Sequence, residues 1–374
     1  MEIPYKHPAW IEIDLSQFQK NIDIIRLALK NSRLCLPVKA NAYGHGLTDI
    51  GRAAAMAQVD YLAVSCLQEG AQLRESGITI PILVMGAIHE NQIGDLINHN
   101  LEFTISSAYK AKLTQGICQK ENLRCRVHIE VDTGMQRTGM HPATALALLQ
   151  DLRGNHTIEV IGAYSHLATG DKKDDSFALR QIEQFQEFRK KAHAIYGSIL
   201  FHIGNSGGIC HYPSAELDMV RPGLLAFGYF DHDLPPFSDI KPFFSLKAKI
   251  AYFKVVEKDQ GISYGHSFHT KRRTRIVTIP VGYGDGFRRA LSNKASVLIR
   301  GKAYPIVGMI CMDQLMVDIG DDEAYVGEEA VLIGRLGENE ILLKDIAQMC
   351  DTIPYEILCS FNQRLPRFYI HHSK

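Results

Sequence analysis

The sequence predicts an α/β protein, a (β/α)8 TIM-like barrel followed by a mainly antiparallel β domain. Three observations support this prediction. Short apolar runs alternate eight times with polar turns and helix-like stretches, as in parallel βαβ units. These eight units occupy roughly 240 residues, close to the ~250 that such a barrel takes. Glycine-broken runs rich in β-branched residues then replace the alternation, which is typical of antiparallel sheets.

The barrel elements follow one another along the first part of the chain. The predicted strands are residues 34–38, 61–65, 81–85, 102–105, 126–131, 160–165, 200–203 and 219–225. The helix-like stretches include residues 107–120, 142–152 and 176–196. A doubly wound open sheet has the same periodicity and stays an alternative, because periodicity alone does not show closure.

The second domain begins after a proline-containing linker at residues 231–236. Its predicted strands lie in residues 246–256, 274–280, 296–307, 315–319 and 329–333, with a helix at 343–349. The sequence therefore predicts a barrel domain at 12–236 and a β domain at 237–374. The N-terminal stretch 1–14, with "WIEID", is expected to associate with the β domain.

Composition excludes several classes of protein. The 374 residues carry 41 basic and 41 acidic side chains, so no net field attracts nucleic acid or an anionic membrane. The eight cysteines form no C-x-x-C pair, which argues against a metal ribbon and for reduced thiols in the cytoplasm. The N-terminus has no signal-peptide apolar region, and no apolar run is long enough to span a membrane.

Chemistry-bearing residues follow the predicted barrel strands. Lys39 follows the first strand, residues 132–137 the fifth, His166 the sixth and residues 205–208 the seventh, and Arg221 lies in the eighth run. Because sites in such barrels lie at the carboxyl ends of the strands, these residues are expected to converge on one rim. Each has a structural interpretation on its own, such as a turn or a core histidine.

The stretch "GNSGG" offers a rival interpretation. It matches the G-x-S-x-G turn that presents the nucleophile of serine hydrolases, with Ser206 as nucleophile and Asp218 or a later histidine as partner. That hypothesis gives no role to Lys39, which sits in "PVKANAYGHG".

Motifs along nearly the whole chain resemble the alanine racemases, fold-type III enzymes that use pyridoxal 5′-phosphate (PLP). They are "PVKANAYGHG", "VDTGMQRTG", "SHLA", "HIGNSGG", "MVRPG", "ISYGHSF", "VGYGDGF", "ICMDQLMVD" and "IPYEILC". Their order matches that of the family. The resemblance implies racemisation of L- and D-alanine, in a cytoplasmic homodimer that supplies D-alanine for peptidoglycan.

The resemblance also implies roles for individual residues. Lys39 is the lysine that forms a Schiff base with PLP, and Tyr264 of the partner subunit is the second catalytic base. Arg221 faces the pyridine nitrogen, with His166 in its hydrogen-bonding chain. The expected phosphate-binding residues are Tyr43, Ser206, Gly223, Leu224 and Tyr355, and Asn205 is placed with them as cofactor-binding. The expected substrate-side residues are Arg137, the partner's Met312, and Tyr283 and Asp313 of the access corridor.

These residue types fit the chemistry. PLP is an electron sink for the carbanion formed when the Cα proton leaves. Inversion needs one base on each face of the planar centre, which Lys39 and Tyr264 provide. Arg221 stays protonated, so it leaves the pyridine nitrogen unprotonated and disfavours transamination.

One departure from the family concerns Glu130, where many members have a carbamylated lysine. We expect its carboxylate to supply the negative charge directly, by a charge-assisted hydrogen bond to Arg137; a solvated glutamate is the alternative. "GHSF" after Tyr264 is a second departure, since His266 stands where smaller residues are commoner. Three alternatives stay open: a racemase of serine or other small amino acids, the serine hydrolase, and a non-catalytic PLP-binding protein.

Overall fold

The chain folds into two compact units. A computed structural model describes residues 7–230 and 235–371. Residues 18–42 and 47–241 form the first unit, here called the barrel unit. Residues up to 17, 43–46 and those from 242 onward form the second, here called the β unit. The predicted boundary between residues 236 and 237 stays a prediction, and the linker residues 231–234 lie outside the described residues.

The barrel unit contains a sheet of eight parallel strands. The first strand of the chain, β1 (Ala9–Asp14), belongs to the β unit. The barrel strands are β2 (Arg33–Pro37), β3 (Tyr61–Val64), β4 (Ile82–Val84), β5 (Glu102–Ile105), β6 (Cys125–Glu130), β7 (Ile158–Tyr164), β8 (Leu200–His202) and β9 (Met219–Val220). Every residue of β3, β4 and β5 is buried, as expected for parallel strands covered on both faces.

The sheet closes into a barrel. Its order is β8-β7-β6-β5-β4-β3-β2-β9, and a parallel bridge between Asn205 and Arg221 joins the two ends. The Arg221 amide also donates to the Gly204 carbonyl at 2.8 Å. The predicted barrel is therefore confirmed, and the open-sheet alternative is wrong.

Helices connect the barrel strands, and side-chain caps set several of their ends. They are α1 (Leu15–Ala28), α2 (Leu47–Met56), α3 (Leu67–Glu75), α4 (Ile93–Asn98), α5 (Ala108–Glu121), α6 (Pro142–Asp151), α7 (Ser176–Tyr196) and α8 (Ser206–His211). Ser107 caps α5 by accepting from the Lys110 amide, and Asp175 caps α7 in the same way. In the described part of the chain no helix is long and apolar enough to cross a membrane.

All eight predicted barrel strands are present, with one large difference in length. The predicted run 219–225 is a strand over Met219–Val220 alone. Pro222 has no amide hydrogen to continue a ladder, and residues 223–228 instead form turns.

The β unit is mainly antiparallel, as predicted. Its further strands are β10 (Phe244–Lys249), β11 (Tyr252–Val256), β12 (Gly261–Ile262), β13 (Phe268–His269), β14 (Thr274–Ile279), β15 (Ser296–Ile299), β16 (Lys302–Pro305), β17 (Leu315–Gly320), β18 (Glu329–Leu336), β19 (Asn339–Ile341) and β20 (Arg367–Ile370). Two helices, α9 (Leu343–Met349) and α10 (Pro354–Ser360), precede β20.

The described residues of the β unit form three sheets. The largest has the order β16-β15-β18-β10-β1-β20, with β19 paired to β18. Here β1 pairs with β10 in antiparallel and with β20 in parallel orientation. The others are β11-β14-β17 and β12-β13. The predicted single run 296–307 is a hairpin, because Arg300 and Gly301 have positive φ angles of 50° and 76° and form a tight turn.

Candidate active site

Lys39 lies one residue past Val38, the buried continuation of β2. The Val38 amide still donates to the Ala63 carbonyl at 2.8 Å, whereas Lys39 is exposed. The next three residues, Ala40, Asn41 and Ala42, have φ angles of 53°, 56° and 51°. A left-handed turn of residues that are not glycine costs roughly 1–2 kcal/mol per residue, so other interactions must hold this turn.

Two polar side chains brace the turn. The Glu69 carboxylate accepts from the Ala40 amide at 2.6 Å and from the Ser65 amide at 2.8 Å. The Asn41 side chain accepts from the Leu47 amide at 2.8 Å. Lys39 is therefore held at the carboxyl end of β2 by a braced turn. Glu69 lay outside the sequence predictions.

The segment 43–46, part of the β unit, shows why this motif contains two glycines. A Cβ on Gly44 would lie 2.2 Å from the Leu358 carbonyl oxygen, and one on Gly46 would lie 1.8 Å from Tyr369 Oη. Both glycines also have positive φ angles. The same packing brings the rings of Tyr43 and Tyr355, both predicted at the cofactor phosphate, to a centroid distance of 5.5 Å.

The loop after β6 carries the predicted substrate-binding residues. Asp132 closes it by accepting from the amides of Gly134 and Gln136, and Arg137 is exposed. Glu130 is 6% exposed and accepts a 2.8 Å hydrogen bond from Thr138 Oγ1.

The expected hydrogen bond between Glu130 and Arg137 is absent among the described residues, and Thr138 is the side chain that donates to the carboxylate. Burial raises the pKa of Glu130, while Thr138, Arg137 and Arg221 lower it. Arg137 thus acts on Glu130 through its charge.

His166 follows β7 and is held through its backbone. Its carbonyl accepts from Gln181 Nε2 at 2.9 Å, and Gln181 Oε1 accepts from the Ala168 amide at 2.9 Å. Burial, followed by the positive charges of Arg221, Arg137 and Lys39, lowers the pKa of His166 to about 3. His166 is therefore a neutral imidazole at any ordinary pH.

Arg221 is 3% exposed and is fixed by three hydrogen-bond acceptors. One guanidinium nitrogen donates to His202 Nδ1 at 2.6 Å, and another to the Ser165 carbonyl at 2.7 Å and the Ile203 carbonyl at 3.4 Å. The imidazole bonded to Arg221 is thus His202, and the place of His166 in the hydrogen-bonding chain of Arg221 stays a prediction. His202 ends a strand adjacent to β9, whereas His166 lies past the end of β7.

The turn after β8 brings small residues into close contact. The Asn205 side chain caps α8 by accepting from the Gly208 amide at 2.9 Å. Ser206 Oγ accepts from the Leu225 amide at 3.1 Å, next to the buried Gly223 and Leu224. A Cβ on Gly207 would lie 2.2 Å from the Gly170 carbonyl oxygen.

The contacts of Asp218 contradict its pairing with Ser206, which was one form of the hydrolase interpretation. Asp218 binds Arg189 and the Phe201 amide, and it precedes β9, whereas Ser206 follows β8. Because the strands are parallel, the two side chains lie at opposite ends of the barrel.

Tyr264 lies on the β unit in a strained turn. Ser263 has φ 63° and ψ −169°, and Gly265 has φ 66°. Ser263 Oγ donates to the Met309 carbonyl at 2.6 Å, which braces the turn. Tyr264 itself is 72% exposed.

Tyr283, Met312 and Asp313 are brought together on the same unit. The Tyr283 amide donates to the Cys311 carbonyl at 3.1 Å, and the Gly284 amide to the Met312 carbonyl at 2.8 Å. Tyr283 and Met312 are 43% and 53% exposed. Arg364, outside the sequence predictions, donates to Asp313 at 2.7 Å.

A cavity of about 1080 Å³ in the barrel unit lies away from these residues. Arg33, Arg126 and Asp218, which belong to the amino ends of barrel strands, help line it. It therefore lies at the end opposite Lys39 and Arg221. Among the residues that the structure describes, no group of three or more His, Cys, Asp or Glu side chains is arranged to hold a metal ion.

Comparison with known proteins gives a consistent result. The profile of the alanine racemase N-terminal domain matches residues 13–231, and that of the C-terminal domain matches residues 243–369. The chain belongs to the alanine racemase family. The alanine racemase of Halothermothrix orenii is 38% identical over 97% of both chains.

Solved alanine racemases share the fold over nearly the full chain. The Clostridium difficile 630 enzyme is 34% identical, covering 99% of this chain and 97% of that one, with a TM-score of 0.92. The Bacillus anthracis enzyme with bound L-Ala-P is 30% identical, covering 100% and 97%, with a TM-score of 0.93.

Proposed function

We propose that this chain interconverts L- and D-alanine with PLP as cofactor. The observation that carries the proposal is that Lys39, Ser206 and Arg221 follow β2, β8 and β9 and so lie at the carboxyl rim of one barrel. Membership in the alanine racemase family supports the same reaction.

The residues of this rim fit PLP. Lys39 provides the primary amine for its aldehyde, and Ser206 at the start of α8 provides a hydroxyl for its phosphate. We place Asn205, Gly223, Leu224, Tyr43 and Tyr355 with Ser206. When bound, PLP supplies an electron sink for the carbanion left at the substrate's Cα.

Two bases of the chain move the proton. Lys39 Nζ acts on one face of the substrate's Cα, and the Tyr264 phenol acts on the other. The exposure of Tyr264, Tyr283 and Met312 supports our proposal that this part of the β unit completes a partner's site in a homodimer.

Other residues orient the substrate and set the outcome of the reaction. Arg137 and the partner's Met312 hold the substrate carboxylate, while Tyr283 and Asp313 line the access corridor. Arg221, buried and always charged, presents guanidinium donors to the ring nitrogen. With Arg221 there, that nitrogen would stay unprotonated, which would disfavour transamination.

We also propose a cytoplasmic enzyme that supplies D-alanine for peptidoglycan. Cys35, Cys118 and Cys125 are buried free thiols, as is typical of a reducing compartment.

Spectroscopy and stereochemistry test the proposal together. The purified protein is expected to absorb visible light, to lose that band with borohydride, and to abolish the optical activity of L-alanine. Lys39→Ala is the control that should remove the band. A colourless protein unchanged by borohydride would overturn the cofactor assignment. Faster racemisation of L-serine than of L-alanine would replace alanine by the broader substrate class.

A further inference from the structure

A chain of buried hydrogen bonds continues from Arg221 through the interior of the barrel. Arg221 lies 2.6 Å from His202 Nδ1, and His202 Nε2 lies 3.0 Å from His128 Nδ1. His128 Nε2 then lies 3.0 Å from Glu102 Oε2. These side chains come from β5, β6, β8 and the residue after β9.

The direction of every hydrogen bond in this chain is fixed by its ends. A guanidinium can only donate, so His202 Nδ1 must accept from Arg221. His202 then carries its proton on Nε2 and donates to His128 Nδ1. His128 in turn carries its proton on Nε2 and donates to the Glu102 carboxylate. Both imidazoles are therefore neutral, with a cation at one end and an anion at the other.

Residues of the barrel bury these hydrogen-bonded side chains and pack closely against them. His128 and His202 are 0% exposed, and Glu102 is 2% exposed. A Cβ on Gly162 would lie 2.4 Å from His128 Nδ1, so the neighbouring strand needs a glycine there. The ring of Tyr164 stacks on His202 at 5.1 Å.

Arg126 lies at the outer end of this series of hydrogen bonds. It makes an ion pair with the second carboxylate oxygen of Glu102, and its half-exposed side chain lines the cavity at the amino end of the barrel. Burial of an unpaired carboxylate is costly, and Arg126 offsets that cost without touching the histidines.

We propose that Glu102 and His128 are positioning residues for the racemase reaction, fixing the tautomer of His202 and thereby the acceptor that holds Arg221. This inference rests on the proposed function. A neutral residue in place of Glu102 frees His128 to carry its proton on Nδ1. His128 Nδ1 would then donate to His202 Nε2, so His202 would carry its own proton on Nδ1. The Nδ1–H group of His202 would face an N–H group of Arg221, and neither could accept.

Proton positions in the holoenzyme provide the direct test. Neutron diffraction from deuterium-exchanged crystals of the wild-type protein is expected to show deuterium on Nε2 of both His128 and His202, and none on Nδ1. Deuterium on Nδ1 of either ring would overturn the proposal. This measurement needs no variant, and it is independent of whether the protein racemises alanine.

Kinetics of Glu102→Gln test the consequence for Arg221. We expect kcat for L-alanine to fall about tenfold with KM within about twofold of wild type, since Glu102 touches no substrate. Loss of the visible cofactor band during turnover, which reports transamination, should become faster. Arg126→Gln is the control: it removes the ion pair but keeps the Glu102 charge, so both rates should stay near wild type.

The outcomes separate the two proposals. A folded Glu102→Gln protein with wild-type kcat and an unchanged rate of band loss contradicts the positioning role. Equal effects of Glu102→Gln and Arg126→Gln would also contradict it, because loss of the ion pair would then explain both. A wild-type protein that shows the expected deuterium pattern but racemises nothing contradicts the proposed function alone.

Discussion

Two predicted site residues of the barrel unit are buried, whereas three predicted site residues of the β unit are exposed. In the barrel unit, Arg221 and Glu130 are 3% and 6% exposed, and each makes hydrogen bonds within the unit. In the β unit, Tyr264, Met312 and Tyr283 are 72%, 53% and 43% exposed. Arg221 and Glu130 are therefore fixed within the barrel unit, whereas the three β-unit side chains offer exposed surface that a partner subunit could cover.

Mixing subunits of two inactive variants tests this comparison, and the expected change in activity is the largest of those predicted. The Lys39→Ala and Tyr264→Phe variants, each assayed alone, should lose nearly all racemisation. If each site takes its lysine from one subunit and its tyrosine from the other, a mixed dimer holds one intact site. Random re-association of equal amounts should then restore about a quarter of wild-type activity. Lys39→Ala mixed with the double variant is the control, and it should stay inactive.

The same mixture can contradict the shared site. No recovered activity, despite mixed dimers seen by native mass spectrometry, would place both bases in one subunit.

Replacing one glycine in each unit by alanine tests how tightly the two units are packed. Gly207→Ala in the barrel unit would place a methyl group 2.2 Å from the Gly170 carbonyl oxygen. The backbone must shift, so we expect a loss of about 1–3 kcal/mol in the free energy of unfolding and weaker cofactor binding. Gly265→Ala, beside Tyr264, meets no atom within 4 Å and should lose only about 1–2 kcal/mol for its positive φ of 66°.

Urea unfolding at fixed protein and cofactor concentrations measures both variants. Gly116→Ala is a matched control, because Gly116 lies inside α5 with open space around it. That change should stabilise the protein slightly. Cofactor affinity of Gly207→Ala equal to that of Gly265→Ala would show that the turn after β8 is not specially constrained.

The rim of the barrel could be predicted from sequence because parallel strands end at one face. Lys39 and Arg221 could be predicted as rim residues from their positions after apolar runs and from the order of the surrounding motifs. The predicted double-length run 246–256 in the β unit was less accurate, since it contains the separate strands Phe244–Lys249 and Tyr252–Val256.

The interior chain from Arg221 to Glu102 could not be predicted in the same way. Which side chains of β5, β6 and β8 meet inside the barrel depends on strand register and tilt, which the sequence does not state. The one signal was Glu102, a charged residue opening the predicted strand "EFTI". His202 was part of the quoted motif "HIGNSGG", yet nothing in the pattern paired it with Arg221.

Glu130→Gln tests how the barrel unit orients Arg137. The amide keeps an oxygen that can accept from Thr138 but removes the negative charge. We expect KM for alanine to rise by about tenfold, equivalent to ~1.4 kcal/mol, with a smaller change in kcat. Glu159→Gln, an exposed position on β7, is the control. Unchanged KM and kcat would show that the charge of Glu130 has no role in the reaction and that Glu130 has a structural role only.

His166 gives the smallest predicted effect, on the pH dependence of stability. Its pKa is about 3 in the folded protein against an ordinary 6.5. Below pH 6.5 the unfolded chain therefore binds a proton at this residue that the folded chain does not bind. The free energy of unfolding must therefore fall as the pH falls through this range. Burial lowers the pKa of His202 in the same direction.

Replacing His166 by asparagine removes one of these protons. The loss of unfolding free energy between pH 7.5 and 5.5, measured by urea titration, should be smaller than in wild type by about 1 kcal/mol. The exposed His156→Asn should leave that loss unchanged. Equal pH dependence in all three proteins would mean that His166 takes up a proton in the folded state. The barrel side of the site would then be less protected from protonation than its burial implies.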